Sequence, residues 1–274
     1  MKKVFFLSCF IAMLCSCNSI VGKVSELTGK GNLKTDSIVV VKDLKHASVR
    51  YYVDFPTSGN SLLVNAIREF VNEQLGGTFD GEESDGKTMI NTYAEQEWQN
   101  LVSEYDEMAS QADEEYMRDM TFYTNYEIRL VYETDKFVTY QTFTDTYLGG
   151  AHGMQNFYGV TFRKSDGRRF GYSMMRQLYS EGFKGIIKEG LRKYFAEGVG
   201  RTPSDAELKE WLMTSDDINY LSQPRGAPYM MEDGVKFLYQ PYEIAPYAGG
   251  MPEFTVSYND IKPYLTIGAQ KLLP

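Results

Sequence analysis

Cysteine is nearly absent from this 274-residue chain: Cys9, Cys15 and Cys17 are the only three, and all lie at the extreme N-terminus. A folded region beyond them has no thiol, cannot close a disulfide and must depend on its apolar core. Histidine is as scarce, with only His46 and His152. Catalytic zinc usually takes two or three histidines, and no spacing motif joins these two to a carboxylate, so no metal is expected. There is no G-x-S-x-G, no candidate Cys–His pair and no phosphate-cradling glycine loop. No catalytic residue is assigned and no cofactor is expected. Positive charge is the minority sign, with 28 Lys and Arg against 37 Asp and Glu and a formal net charge of −9. That balance disfavours nucleic acid and anionic lipid and favours cationic partners. No segment after the first twenty residues is apolar enough to cross a bilayer, which takes about 20 residues.

What is present begins with a secretory pattern. Met1-Lys2-Lys3 is followed by a short apolar run from Val4 to Leu14, a cationic stretch and hydrophobic region of signal-peptide type. The end of the run, Leu14-Cys15-Ser16-Cys17, resembles the lipobox of bacterial lipoproteins. The resemblance implies cleavage after residue 16 and a diacylglycerol on the Cys17 thiol. Two or three acyl chains hold a protein durably to a membrane. Asn18-Ser19-Ile20 carries no acidic run, so an outer-membrane anchor facing the periplasm is the expected location. Residues 17–35, with Gly22, Gly29 and Gly31 and no sustained period, read as the lipidated cysteine and its tether.

The remaining chain is rich in tyrosine, at 21 residues, and 43% hydrophobic overall, enough for a real core. Val-rich residues 37–41 and the alternating stretch 49–55 predict strands, the second ending at Pro56. Leu62, Leu63, Ala66, Ile67, Phe70, Val71 and Leu75 then recur at helical spacing, capped by Asn60 or Ser61 and stopped by Gly76-Gly77. A second apolar stripe, Met89 to Met108, predicts a helix within 88–118. Residues 123–133 and 136–148 alternate as a hairpin, and Asp166-Gly167 predicts another turn of type I′. Helices are predicted over 173–199 and 204–213, then a hairpin on Asp233-Gly234, a Pro/Gly-rich bend from 241 to 252 and a last strand at 254–258. Hairpins with intervening helices define an α+β fold of antiparallel sheets with packed helices. A chain of this length holds one large domain or two small ones.

Among the constellations that could carry chemistry, Ser84-Asp85-Gly86-Lys87 matches S-x-x-K in form, but in an acidic Gly-containing loop. The same loop, Asp80 to Gly86, departs from the EF-hand pattern by having Asp85 and Asn91 where Gly and Glu are wanted. The more distinctive segment is Tyr147-Leu148-Gly149-Gly150-Ala151-His152-Gly153. Its glycines permit sharp turns that would hold the imidazole in place, either as a structural corner or for recognition or acid–base work with a neighbouring acid such as Asp145.

That segment resembles the Y-x-G-G-A-H motif of a family of bacterial extracytoplasmic domains of the RsiV/PdaC type. About ninety residues on, Phe237-Leu238-Tyr239-Gln240-Pro241-Tyr242-Glu243-Ile244-Ala245-Pro246-Tyr247-Ala248-Gly249-Gly250 resembles the same family's F-x-x-Y-x-P-Y-E-I-A-P-Y-A-x-G signature. Two motifs in the right order are more specific than either alone. The family includes the outer portion of an anti-sigma factor that binds lysozyme and the non-catalytic region of a peptidoglycan deacetylase. The resemblance implies an α+β fold in two intimately associated subdomains, 36–164 and 165–274, and a binding or sensing role, with lysozyme or peptidoglycan as the partner. It points to Tyr147, Gly149, Gly150, His152, Gly153, Tyr242, Glu243 and Tyr247 as the residues of a binding or structural site. The rival expectations are a wall-directed hydrolase using His152 and a purely structural envelope component.

Overall fold

The computed structural model describes residues 33–44, 46–214 and 217–274. The signal segment, Cys17 and nearly all of the tether lie outside the described residues. Strand β1 (Lys34–Leu44) forms a hairpin with β2 (Ala47–Ser58). Helices α1 (Ser61–Leu75), α2 (Gly86–Gln111) and the single turn α3 (Glu114–Met117) follow. Next come β3 (Phe122–Glu133), β4 (Phe137–Tyr147) and β5 (Met154–Arg163). These strands make one sheet in the order β1-β2-β3-β4-β5.

The architecture is α+β, with a five-stranded sheet that is antiparallel except at one pair. β2 and β3 run parallel, from Ala47 against Phe122 to Val53 against Ile128. A parallel neighbour needs a long crossover, here residues 59–121 with all three helices. On β2, Ala47, Val49, Tyr51, Val53 and Phe55 are buried in alternation, and α1 presents Leu63, Val64, Ile67, Phe70 and Val71 to the same core. Each fully buried aliphatic or phenyl side chain contributes about 1.5–3 kcal/mol. Asn60 caps α1 by accepting from the Leu62 amide at 3.0 Å, and Gly76 ends it at φ 134°.

Pro56 does not end β2, which continues to Ser58. Pairing with β3 has already stopped at Val53, so the missing proline N–H costs no ladder bond on that side. Where the parallel ladder ends, the buried Asp54 carboxylate takes over, accepting from the Leu130 amide at 3.1 Å and the Ser37 hydroxyl at 2.7 Å.

The C-terminal part has α4 (Glu181–Val199) and α5 (Asp205–Trp211) beside a small sheet of β6 (Tyr229–Met230), β7 (Gly234–Leu238) and β8 (Glu253–Ser257). Two short helices, α6 (Tyr258–Ile261) and α7 (Ile267–Gln270), close it. The predicted helix over 173–199 begins only at Glu181. Before it, Met175 bridges to Leu265, the Arg176 amide donates to the Tyr264 carbonyl and Ser180 caps the true start. At the 165–168 turn only Gly167 has a positive φ, 72°, so it is not the type I′ turn expected, which needs two.

The two parts interlock through threonine. The Thr139 hydroxyl of β4 donates to the Met230 carbonyl at 2.7 Å, and the Met230 amide donates to the Thr161 hydroxyl of β5 at 2.8 Å. The two hydroxyls lie 2.8 Å apart and both residues are fully buried. Beside them the Tyr229 ring lies flat on Gly159, and its hydroxyl accepts from Gln141 at 3.2 Å. β6 is thus seated on the β4–β5 face by side chains that stand in for strand pairing, each hydrogen bond contributing roughly 1 kcal/mol net. Phe137 of β4 reaches into the C-terminal cluster of Phe183, Phe237, Val235 and Met230.

Candidate functional site

The first motif is the turn from β4 into β5. The hydroxyl of Tyr147, the last residue of β4, donates to the Gly150 carbonyl at 3.0 Å and closes the loop on itself. Gly149 and Gly150 take φ of 85° and 91°, a region that side chains with a Cβ resist. Gly149 also packs against Met108 of α2, while Gly150 faces open space. His152 is exposed, and its ring is fixed on two sides. Nδ1 lies 2.8 Å from the Gly153 carbonyl, so that nitrogen carries the donating proton, and the ring stacks on Tyr247 with centroids 4.0 Å apart and planes 16° apart.

The second motif supplies the other half. In the bend between β7 and β8, the Tyr247 hydroxyl donates to the same Gly153 carbonyl at 3.1 Å. The Gln240 side chain accepts from the Phe157 amide at 3.1 Å and donates to the Phe157 carbonyl, lengthening the sheet past its edge strand β5. Glu243 turns inward: its carboxylate accepts from the amides of Gln240, at 2.8 Å, and Arg225. This staple holds Tyr242 at φ 62°, a left-handed backbone that a tyrosine rarely adopts. The Tyr242 side chain is 45% exposed, with its ring 5.6 Å from Tyr247. Segments some ninety residues apart in the chain therefore build one rigid corner, with His152, Tyr247 and Tyr242 as successive rings.

This corner borders the open part of the large sheet. Antiparallel register puts Tyr123 opposite Tyr147, Asn125 opposite Asp145, and Glu127 opposite Phe143. Phe157 and Gln155 continue the rows on β5, so directly opposed side chains share one face. All of these are half-buried except the exposed Gln155. Tyr123 and Tyr147 lie 5.9 Å apart, and Phe143 and Phe157 6.4 Å. Burial, with the Asp145 carboxylate and the Tyr147 and Tyr247 phenols alongside, holds the Tyr123 phenol above its ordinary pKa. Further along, the Arg129 guanidinium stacks over Tyr52 at 3.1 Å and pairs with Glu127. The outcome is a surface of aromatic rings with carboxylates between them.

The other constellations do not join this site. The Asp85 carboxylate caps α2, accepting from the Thr88 amide at 3.0 Å and hydroxyl at 2.6 Å, and Lys87 sits in the first turn of that helix. His46 stacks on Tyr105 of α2 with centroids 4.5 Å apart, in a different ring stack from His152. No hydrogen bond joins Asp145 to His152 among the described residues. Asp145 instead is approached by the Gln155 side-chain Nε2 at 3.5 Å. Sequence reading missed Tyr123, Phe143, Phe157 and Gln240 as parts of the site. The alternation of 123–133 against 136–148 carried the signal for Tyr123, since it pairs that residue with Tyr147. Gln240 gave none.

The fold and corner define a two-part α+β domain with an aromatic surface at its seam; comparison with known proteins bears on the fold. Residues 59–155, which include the first motif, match the family model described as deacetylase PdaC. Residues 177–259, which include the second, match the model described as a protein of unknown function, DUF3298. Among solved structures, a DUF3298 family member from Bacteroides fragilis is similar with a TM-score of 0.68 at 19% identity, over 86% of this chain and 94% of that one. A DUF3298 family protein from Pseudomonas aeruginosa gives 0.57 at 13% identity, over 90% and 99%. At these identities the likeness establishes the fold. No curated protein matches the chain significantly.

Proposed function

We propose that this chain is a non-catalytic binding or sensing module of the bacterial cell envelope, anchored through a lipid on Cys17 and facing the periplasm from the outer membrane. The observation that carries the reading is the ring corner of His152, Tyr247 and Tyr242 beside the half-exposed Tyr123, Tyr147, Phe143 and Phe157. Rigid tyrosines give large contact area at little entropic cost, and a backbone held in a left-handed conformation at Tyr242 is the kind of strain that collects at ligand sites. His152 has Nδ1 engaged with its own loop and no carboxylate orienting it among the described residues, an arrangement suited to holding a surface more than to moving protons.

Sugar rings with their hydroxyls match a surface of aromatic faces and carboxylates, so cell-wall glycan is the ligand class favoured. The net charge of −9 favours a second reading, a cationic protein of lysozyme type, through long-range attraction. Retention of the full chain on insoluble peptidoglycan and on immobilised lysozyme, at low and moderate salt, separates them. Salt-insensitive retention on peptidoglycan supports the glycan, and salt-sensitive capture by lysozyme supports the protein. Retention on neither overturns both. Release of acetate or of reducing ends from peptidoglycan, abolished by His152→Ala, would replace the binding role with a hydrolase.

A further inference from the structure

At the opposite end of β4, about 30 Å along the strand from Tyr147, a cavity of about 570 Å³ opens where the two parts meet. Its wall takes Lys136 from the β3–β4 turn, Arg163 and Lys164 from the end of β5, and Lys271 after α7, with Asp135 as the one acid. In a chain of net charge −9 this is a local reversal of sign. Two of the cations are already neutralised. Arg163 pairs with Asp166, Nε to Oδ1 at 2.7 Å, and Lys164 pairs with Glu133.

The other two are not. Lys136 donates to the Leu273 carbonyl, a neutral acceptor that leaves its charge uncompensated. Lys271 is exposed and has no acceptor among the described residues. The start of α1, through Asn60 and Leu63, adds the positive end of a helix dipole to the same wall. The volume is typical of small-ligand sites and much larger than one tetrahedral anion, which leaves room for a substituent.

We propose that this cavity binds a phosphate-bearing small molecule, its phosphate between Lys136 and Lys271 and its glyceryl or sugar portion filling the remaining space. The phosphate can be that of a phosphorylated sugar or glycerol, or that of a lipid headgroup. The two ammonium groups attract the negative charge of the phosphate, and Asp135 at the rim opposes it.

Calorimetric titration of the full chain with inorganic phosphate, with glycerol phosphate and with the diester glycerophosphoglycerol tests the site and separates its sources. Saturable one-to-one binding is expected, strongest for the monoester if the occupant is a phosphorylated sugar or glycerol and for the diester if it is a lipid headgroup; esters that bind no tighter than inorganic phosphate overturn the proposed substituent. Lys271→Gln is expected to weaken binding about fivefold and Asp135→Asn to tighten it about threefold, as partly exposed charges do. Both residues are exposed, so thermal unfolding without ligand stays unchanged and misfolding does not mimic the effect. Absence of saturable binding by all three probes overturns the proposal, as does binding that neither substitution alters. The proposal does not depend on the aromatic surface, and Tyr247→Ala leaves it intact.

Discussion

Gly159→Ala tests how the two parts are joined. A Cβ built on Gly159 would lie 2.3 Å from Cγ and Cδ1 of Tyr229 and 2.5 Å from Cδ2. Ordinary carbon contacts begin near 3.4 Å, so the ring would have to retreat by about 1 Å. It has nowhere to go, being 1% exposed, with its hydroxyl tied to Gln141 and its neighbour Met230 tied to Thr161. Overpacking of this kind costs about 1–3 kcal/mol, and loss of the Gln141 bond adds roughly 1 kcal/mol. A destabilisation of about 2–4 kcal/mol follows, or a Tm lower by roughly 5–15 °C for a domain this size. Calorimetric unfolding reads it directly. The double variant Gly159→Ala with Tyr229→Leu should recover part of the loss, because the shorter side chain makes room. A Gly159→Ala chain within about 0.5 kcal/mol of the parent would refute the interlocked seam.

Three further outcomes are expected. Tyr140→Phe should raise stability by about 1 kcal/mol, because the Tyr140 hydroxyl is fully buried without a hydrogen-bond partner among the described residues; a loss of similar size in a denaturant titration would show that the hydroxyl is satisfied. Alkaline unfolding should begin above about pH 10. Burial pushes the Tyr126 phenol up to about 12 and holds Tyr140 and Tyr239 well above the usual range. Folding therefore favours the neutral phenols, and their stabilisation is complete below about pH 10 and lost as pH rises through about 12; tyrosinate absorbance rising smoothly from about pH 9 with no cooperative loss of structure would contradict this. At the acid end, Glu207 is lowered to about 2 by the Arg201 guanidinium and the Ser204 cap. The capping box of α5 should therefore hold at about pH 4.5 and fray only as pH falls toward about 2, and fraying of that helix already at about pH 4 would speak against it.

Much of this was legible in the sequence, for local reasons. Asn60 and Gly76-Gly77 bracket α1 because caps are written in adjacent residues, and the β3–β4 hairpin follows from alternation about a short turn. The parallel pairing of β2 with β3 was not legible, since it joins strands roughly sixty residues apart and no local pattern encodes a partner. Nor was the start of α4. Gly171 to Tyr179 keep an apolar content that suits a helix, but a bridge to Leu265 holds Met175 extended and the Arg176 amide is tied to the Tyr264 carbonyl. At the site, both motifs were visible as strings, whereas their meeting was not. The Gly153 carbonyl that accepts from both His152 and Tyr247 exists only once the chain is folded. Tyr123 reads as an ordinary strand residue and Phe157 falls in a stretch given no element of its own, and only register turns them into a surface.

The central claim is that the two motif segments form one ligand-binding corner. It is tested most directly by a double-mutant cycle on binding of soluble peptidoglycan fragments, with His152→Ala, Tyr247→Ala and both together. Because the two rings form one stack, each single variant should lose about tenfold or more in affinity, and the double variant should lose little beyond the worse single. Full affinity in both single variants would contradict the claim.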